Sequence, residues 1–278
     1  MIEAYNISPY KNEFNFFEVD KLVIPFKKDA PRIMIWASGG ADSSLLTHLL
    51  CEYIIENKLN TEVHLLQFAR KWINAPWQEV IGNNVFNYFK NKFKLNFIQH
   101  SIMLPVSSEG VLFIDRHSKK ELSNLTGDNI LCDEYCTYLS FKHNIDINYN
   151  ATSKNPPVQF DNRLVTRDAE YTGSIEDSDR LIGKMHPTNY YNCNPFIFTD
   201  KEWIIKQYKD RNIIDLLNIT RSCEGYIKDT NYINWNKNIE ILEDCNNCFW
   251  CKERNWALKQ NNLLQYKNKF GKVIINEQ

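Results

Sequence analysis

Residues 33–50 read IMIWASGGADSSLLTHLL, and this stretch decides the fold. Ile33 to Ala37 is an apolar run short enough for a buried strand. Ser38-Gly39-Gly40-Ala41-Asp42-Ser43-Ser44 follows at once, and then Leu45, Leu46, Leu49 and Leu50 recur at helical spacing. The order is strand, tight loop, helix. Two glycines permit backbone angles that other residues avoid, and they let a ligand come close to the chain. The helix starts inside the serine-rich stretch, so its free N–H groups and its dipole point at the contents of the loop. Together with the hydroxyls of Ser38, Ser43 and Ser44 they form a nest suited to an anion such as phosphate. The bland alternative is a glycine-rich turn with a serine cap, but motif and context agree on the nest.

Reading outward, a second strand runs Val63 to Ala69, and a helix follows with Trp77, Ile81, Val85, Phe89 and Phe93 on one stripe. Leu95 to Met103 reads as a third strand, Asp128 to Lys142 as a helix and Ile145 to Asn150 as a fourth strand. Residues 105–127 carry no clear period. Strands alternating with helices predict an α/β fold with a doubly wound parallel sheet. Ligands of such sheets sit beyond the carboxyl ends of the strands, where the glycine loop lies. Residues 1–31 form an extension ahead of this unit, expected to hold a hairpin or an edge strand because Pro25 is excluded from a central one. Residues 151–194 are rich in Asn, Asp, Ser and Pro and read as a lid or substrate loop, with disorder as the alternative. Asn194 to Phe198 reads as a short strand, and Thr199 and Glu202 are spaced as a capping box for a helix from Lys201 to Arg211.

The 278 residues suffice for a sizeable core, and apolar content of 43% with 24% charged residues is ordinary for a globular chain. A formal net charge of −1 gives no global reason to expect a nucleic-acid partner. The start of the chain lacks a signal pattern and no apolar stretch is long enough to span a bilayer, so the expected location is the cytoplasm, with no membrane partner.

Eight cysteines in that compartment argue for metal or redox chemistry rather than disulfides. Cys245, Cys248 and Cys251 form C-x-x-C-x-x-C, and Cys223 supplies a fourth thiolate. Four thiolates make a closed tetrahedral Zn2+ site, structural because no position stays open for water. An iron–sulfur cluster is the alternative, although the cysteine and proline that usually follow such a run are missing. The expected work of the metal is to pin a small C-terminal lobe, residues 221–278, to the main α/β domain at 32–220. Cys132 and Cys136 lie four apart on a helix and read first as two buried side chains on one face, second as a redox or sulfur-carrying pair. The six histidines show no metal spacing and receive no role.

The loop is neither G-x-x-x-x-G-K-[ST] nor G-x-G-x-x-G. Its S-G-G-x-D-S resembles the PP-loop of the ATP pyrophosphatases, which split ATP between the α- and β-phosphates and adenylate a substrate oxygen. With the cysteines at the far end, the chain resembles the 7-cyano-7-deazaguanine synthase (QueC) family. Leu217 to Cys223 is similar to that family's L-T-x-S-C, the cysteine run continues to Arg254 as in its C-x-x-C-x-x-C-x-x-R, and Pro195 to Ile205 is similar to its P-L-x-x-x-x-K-x-E-I-I. The resemblance implies an adenine-nucleotide hydrolase-like sheet with a zinc-bearing C-terminal lobe. It implies ATP as substrate, held by Ser38, Gly39, Gly40, Asp42, Ser43 and Ser44, with adenine near Phe68. Asp42 would act near Mg2+, Ser43 would contact the phosphates, and Lys201 would be the basic residue beside them. The implied reaction adenylates 7-carboxy-7-deazaguanine and passes it to ammonia, giving amide and then nitrile. Divergent relatives hand the deazapurine to a protein amine in antiviral systems.

The chain departs from the family after the second strand, where it reads Gln67-Phe68-Ala69-Arg70-Lys71-Trp72, and in the long polar insertion after Asn150. Arg70 and Lys71 are therefore the candidates for pairing with a ligand carboxylate or phosphate. Two other functions compete. One is a tRNA-thiolating PP-loop enzyme with sulfur on Cys132 and Cys136, and the other is a non-catalytic nucleotide-binding subunit. The partners expected are a deazapurine carboxylate and, in the conjugating version, a protein acceptor. Assembly as a homodimer is left open.

Overall fold

The computed structural model describes residues 10–69, 78–103, 127–157, 181–184, 190–223, 244, 246, 248–268 and 271–276. The glycine–serine stretch joins strand β3 (Arg32–Trp36), through a loop, to helix α1 (Ala41–Glu56). After it come β4 (Glu62–Ala69), α2 (Gln78–Lys92), β5 (Phe97–Met103), α3 (Gly127–His143) and β6 (Ile147–Tyr149). The chain continues through β7 (Ile182–Lys184), β8 (Tyr191–Cys193), a 3-10 helix (Pro195–Phe198), α4 (Lys201–Asp210) and α5 (Ile214–Ile219). It ends in α6 (Phe249–Gln260) and the strands β9 (Leu263–Asn268) and β10 (Gly271–Asn276).

One sheet of six strands organises these elements, in the order β5-β4-β3-β6-β8-β7. Five of the strands run parallel, and β7 joins the edge antiparallel to β8. The chain leaves β3 toward β4 and β5, then returns to lay β6 and β8 on the other side. The winding therefore reverses between β3 and β6, and a crevice opens beyond their carboxyl ends. Helices cover both faces. Ile33, Ile35, Val63 and Leu65 pack with Leu45, Leu46 and Leu49 of α1 and with Val85 and Phe89 of α2. The alternate residues Met34, Leu66 and Phe68 pack with Cys132, Cys136 and Leu139 of α3. Alternation along each strand thus feeds two cores.

The N-terminal extension contains the expected hairpin, β1 (Phe14–Val19) with β2 (Leu22–Lys27). Its two-residue turn places Asp20 and Lys21 at φ 44 and 74, the paired left-handed geometry that suits the strand twist. Phe14, Ile24 and Phe26 join the main core, and Tyr149 donates to Pro25 O at 2.8 Å.

Two local expectations fail. Asn194–Phe198 is not a strand. Pro195 begins a 3-10 helix there, its fixed φ suiting a first helical position, and the strand lies just ahead at Tyr191–Cys193. Nor does Thr199 cap α4. Asp200 does, accepting from Trp203 N at 3.1 Å, while Thr199 Oγ1 turns back to donate to Phe196 O at 3.0 Å.

Three of the histidines that seemed scattered meet on the α3 side of the sheet. His64 Nδ1 lies 2.8 Å from His100 Nε2, His64 Nε2 lies 2.7 Å from Glu62 Oε1, and the His143 ring centroid is 4.8 Å from that of His100. Burial lowers the pKa of both His64 and His100, the latter to about 4. His100 therefore stays neutral in the folded chain down toward that value, whereas an unfolded histidine titrates near 6.5. The unfolded chain binds more protons between those values, so this contribution to stability is complete above pH 6.5 and is lost as pH falls toward 4. Urea midpoints should drop between pH 7.5 and pH 5, and His100→Asn should flatten that slope. An unchanged slope in the variant would remove the histidines as its cause.

Candidate active site

A cavity of about 240 Å3 lies at the winding reversal. The loop after β3 supplies Ser38 and Gly40, and the first turn of α1 supplies Ala41, Asp42 and Ser43. Asn150, Ala151, Thr152 and Ser153 follow β6, Lys201 opens α4, and Trp36 ends β3. Arg221, Ser222, Cys223 and Trp250 form the remaining wall with Gln78.

The loop has the form that anion binding requires. Gly39 sits at φ +78, and a Cβ there would come within 2.8 Å of Ile81 Cγ2, so both backbone angle and space demand glycine. Ser38 Oγ lies 3.2 Å from Ser43 Oγ and accepts from Gly40 N at 3.3 Å. Gly40 caps α1 without a side-chain bond, so the first N–H groups of the helix remain available at the cavity. The start of α1 is anchored from behind, because Tyr208 donates to Ala41 O at 2.6 Å and Thr47 Oγ1 donates to Ser43 O at 2.8 Å.

Three charges meet at the floor. Lys201 is 2% exposed and donates from Nζ to Asp42 Oδ1. Glu253, fully buried on α6, places Oε2 3.9 Å from the same Nζ. Ser153 Oγ donates to Asp42 Oδ2 at 3.4 Å. Asp42 itself is 19% exposed and faces the cavity.

Of the residues singled out in the sequence, Ser38, Gly40, Asp42, Ser43, Lys201 and Cys223 line this cavity together. Gly39 holds the loop's turn from just outside it. Ser44 is buried and is not a wall residue. Phe68 stands one ring behind the wall, edge-on to Trp36 at a centroid distance of 5.8 Å. Arg70, Lys71 and Cys245 lie outside the described residues. Cys132 and Cys136 are buried on one face of α3 and do not line the cavity, Cys136 lying behind the wall residue Trp36. Burial pushes the Cys136 thiol up to about 11, and Trp36 Nε1 and Asn148 Nδ2 donate to its sulfur at 3.2 and 2.9 Å. A neutral, enclosed thiol is a poor sulfur carrier.

Sequence reasoning missed Glu253, Arg221, Ser153 and Trp250. Only their proximity to motif residues in the chain hinted at them. Arg254, quoted as the end of the cysteine motif, is buried and donates from Nη1 to Thr220 O and from Nη2 to Leu217 O, each at 3.0 Å. It closes the carboxyl end of α5, where a cation is favoured.

The sulfurs of Cys223, Cys248 and Cys251 all lie within 4.8 Å of one another. Crowding by the Cys223 and Cys248 sulfurs, together with burial, holds the Cys251 thiol far above its usual range. Three thiolates cannot share that space without a cation, so the donor set fits a soft metal ion or an iron–sulfur cluster. The site is not remote, since Cys223 is also part of the cavity wall. α6, which carries Cys251, packs into the main core through Ala257 and Leu258.

No family model matches the sequence, and no curated protein matches it. Among solved structures, the chain is similar to the U34-tRNA thiolase NcsA from Methanococcus maripaludis with its [4Fe-4S] cluster, at 12% identity and a TM-score of 0.41. The match covers 71% of this chain and 60% of that one. Among the described residues, no helix is long and apolar enough to cross a membrane.

Proposed function

We propose that this chain is an ATP-cleaving enzyme of the PP-loop kind that adenylates a substrate oxygen. The carrying observation is the Ser38–Ser43 loop at the head of α1, with Asp42 and Lys201 at its floor and, among the described residues, no other lysine lining the cavity. Backbone N–H groups and the two hydroxyls hold the β- and γ-phosphates. Asp42 would hold Mg2+, which would supply positive charge against that building on the departing pyrophosphate. Lys201 neutralises the phosphates from within the wall. The finer reading is QueC-like. The oxygen of a carboxylate, 7-carboxy-7-deazaguanine by resemblance, attacks the α-phosphorus. Pyrophosphate leaves, and an acyl adenylate forms. An amine then attacks the acyl carbon and AMP departs, giving the amide. Ammonia as the amine leads on to the nitrile with a second ATP, and a protein amine gives a conjugate. The protein's part is placement and charge stabilisation. Zinc on the cysteines would hold the wall that carries Cys223.

One observation favours a second reading. Cys223 belongs both to the thiol cluster and to the cavity wall, which suits a cluster that hands sulfur to a bound RNA base. Sulfur would then come through Cys223, Cys248 and Cys251 rather than through Cys132 and Cys136. The experiment is a mass spectrum of the products from ATP, 7-carboxy-7-deazaguanine and ammonium. An amide or nitrile supports the ligase. ATP consumed only when tRNA and sulfide are present would replace it with the second reading.

A further inference from the structure

The cysteine cluster and the serine loop are joined by two short connections. One is main chain. Arg221 N donates to Gly39 O at 3.0 Å, and Arg221 lies two residues before the metal-ligand candidate Cys223. The left-handed residue of the anion loop is thus tied to the segment that presents a thiolate. The other connection runs through side chains. Glu253 follows Cys251 by two residues on α6 and stands 3.9 Å from Lys201, which in turn bonds Asp42. Arg254 fixes the same turn of α6 against Leu217 and Thr220, just ahead of Arg221.

We propose that the metal on the three thiols and the Mg2+–nucleotide in the serine loop bind as one coupled unit, with Glu253 the positioning residue between them. This rests on the nucleotide reading above and adds a role for the cysteine metal at that site. Lys201 is shared between two carboxylates. Lys201 hydrogen-bonds Asp42 here, with Glu253 behind it at 3.9 Å, so when Mg2+ takes Asp42 the Glu253 carboxylate is the one left to receive the ammonium. Without the negative charge on Glu253, Lys201 has no second carboxylate to move to and stays on Asp42 in competition with the ion. Metal on the thiols fixes α6, and hence Glu253, in the position that keeps this balance. Linkage makes the effect reciprocal, since whatever factor the metal adds to nucleotide affinity the nucleotide adds to metal affinity.

The test uses the full chain loaded with zinc and a non-hydrolysable ATP analogue with Mg2+. Calorimetry gives the analogue Kd with zinc bound and after chelation, and competition with a chromogenic chelator gives the zinc Kd with and without analogue. Each affinity should change about tenfold, by the same factor. Glu253→Gln should keep its zinc and its melting temperature while the Mg2+ needed for half-maximal analogue binding rises severalfold. A variant that had merely loosened the fold would lose zinc and stability as well. If stripped protein does not stay folded, the Glu253→Gln comparison alone decides. Equal analogue affinity with and without zinc, or an unchanged Mg2+ requirement in Glu253→Gln, overturns the coupling and leaves the nucleotide reading standing. Failure of the zinc-loaded protein to bind the analogue at all overturns both.

Discussion

Changing Asp42 to asparagine will lower the rate of ATP cleavage about a hundredfold or more, which is the usual loss when preorganised stabilisation of developing charge is removed. Asp42 is the one carboxylate facing the cavity among its described walls. It lies at the first turn of α1, beside the N–H groups that would hold the phosphates. The charge, not the shape, is what Mg2+ needs. Asparagine is therefore a cleaner variant than alanine. Its one amide oxygen can still accept from Lys201 Nζ, and its Nδ2 can donate to Ser153 Oγ, so both described contacts of Asp42 keep a partner. Breaking a buried ion pair outright can cost about 3–5 kcal/mol. Here Glu253 remains 3.9 Å from the Lys201 ammonium as a second counter-charge, so thermal unfolding should shift far less than that cost implies. Ser43→Ala should lose less activity than Asp42→Asn, because neighbouring N–H groups still face the phosphates. Steady-state rates at saturating ATP with a Mg2+ titration check the proposal. Wild-type activity in Asp42→Asn would remove Asp42 from the chemistry.

Cys251→Ser will lose the metal. Wild-type protein should carry about one zinc per chain and be colourless, or be brown with visible charge-transfer bands if the thiols hold an iron–sulfur cluster. Zinc binding contributes on the order of 10 kcal/mol to folding in isolated zinc modules. Less of that should appear as instability here. α6 is also held by Ala257 and Leu258 in the main core and by the bonds of Arg254, which do not need the metal. The variant should then fall well below the wild type in metal content and in soluble yield, without complete loss of folded protein. Metal analysis together with the absorption spectrum reads the result. Full metal content in Cys251→Ser would mean that the three sulfurs are not the ligand set.

Much of this architecture can be read along the chain because its causes are local. The strand–loop–helix of residues 33–50 follows from an apolar run, two glycines and a leucine stripe, and it appears at Arg32–Trp36 and Ala41–Glu56. The same holds for β4, α2, β5, α3 and β6, whose periods survive in the fold. Where two local signals compete, the reading slips. Thr199 and Asp200 are both good caps, and the 3-10 helix before them decides in favour of Asp200 by turning Thr199 Oγ1 back to Phe196 O. β7 and β8 have three residues each and are set by pairing partners rather than by any period.

The site is legible in part. Ser38, Asp42 and Ser43 lie in one contiguous motif, and Lys201 is reached only through resemblance. Beyond its place two residues after Cys251, nothing in the sequence marks Glu253. Its importance comes from burial beside Lys201, fifty-two positions earlier in the chain, and burial is a tertiary property. The meeting of His64, His100 and His143 is hidden for the same reason. Adjacent strands must be paired, Leu66 opposite His100, before the rings can be seen to touch. The cysteine spacing announces a metal, but only the fold shows that Cys223 shares the cavity with the serine loop.

The central claim is that the loop cuts ATP between its α- and β-phosphates. A nest that grips the β- and γ-phosphates together leaves the α-phosphorus open to a substrate oxygen. The most direct measurement is chromatography of the nucleotide products formed from ATP and Mg2+ with the acceptor mixture present. The account predicts AMP and pyrophosphate in equal amounts and no ADP. ADP with inorganic phosphate would contradict it.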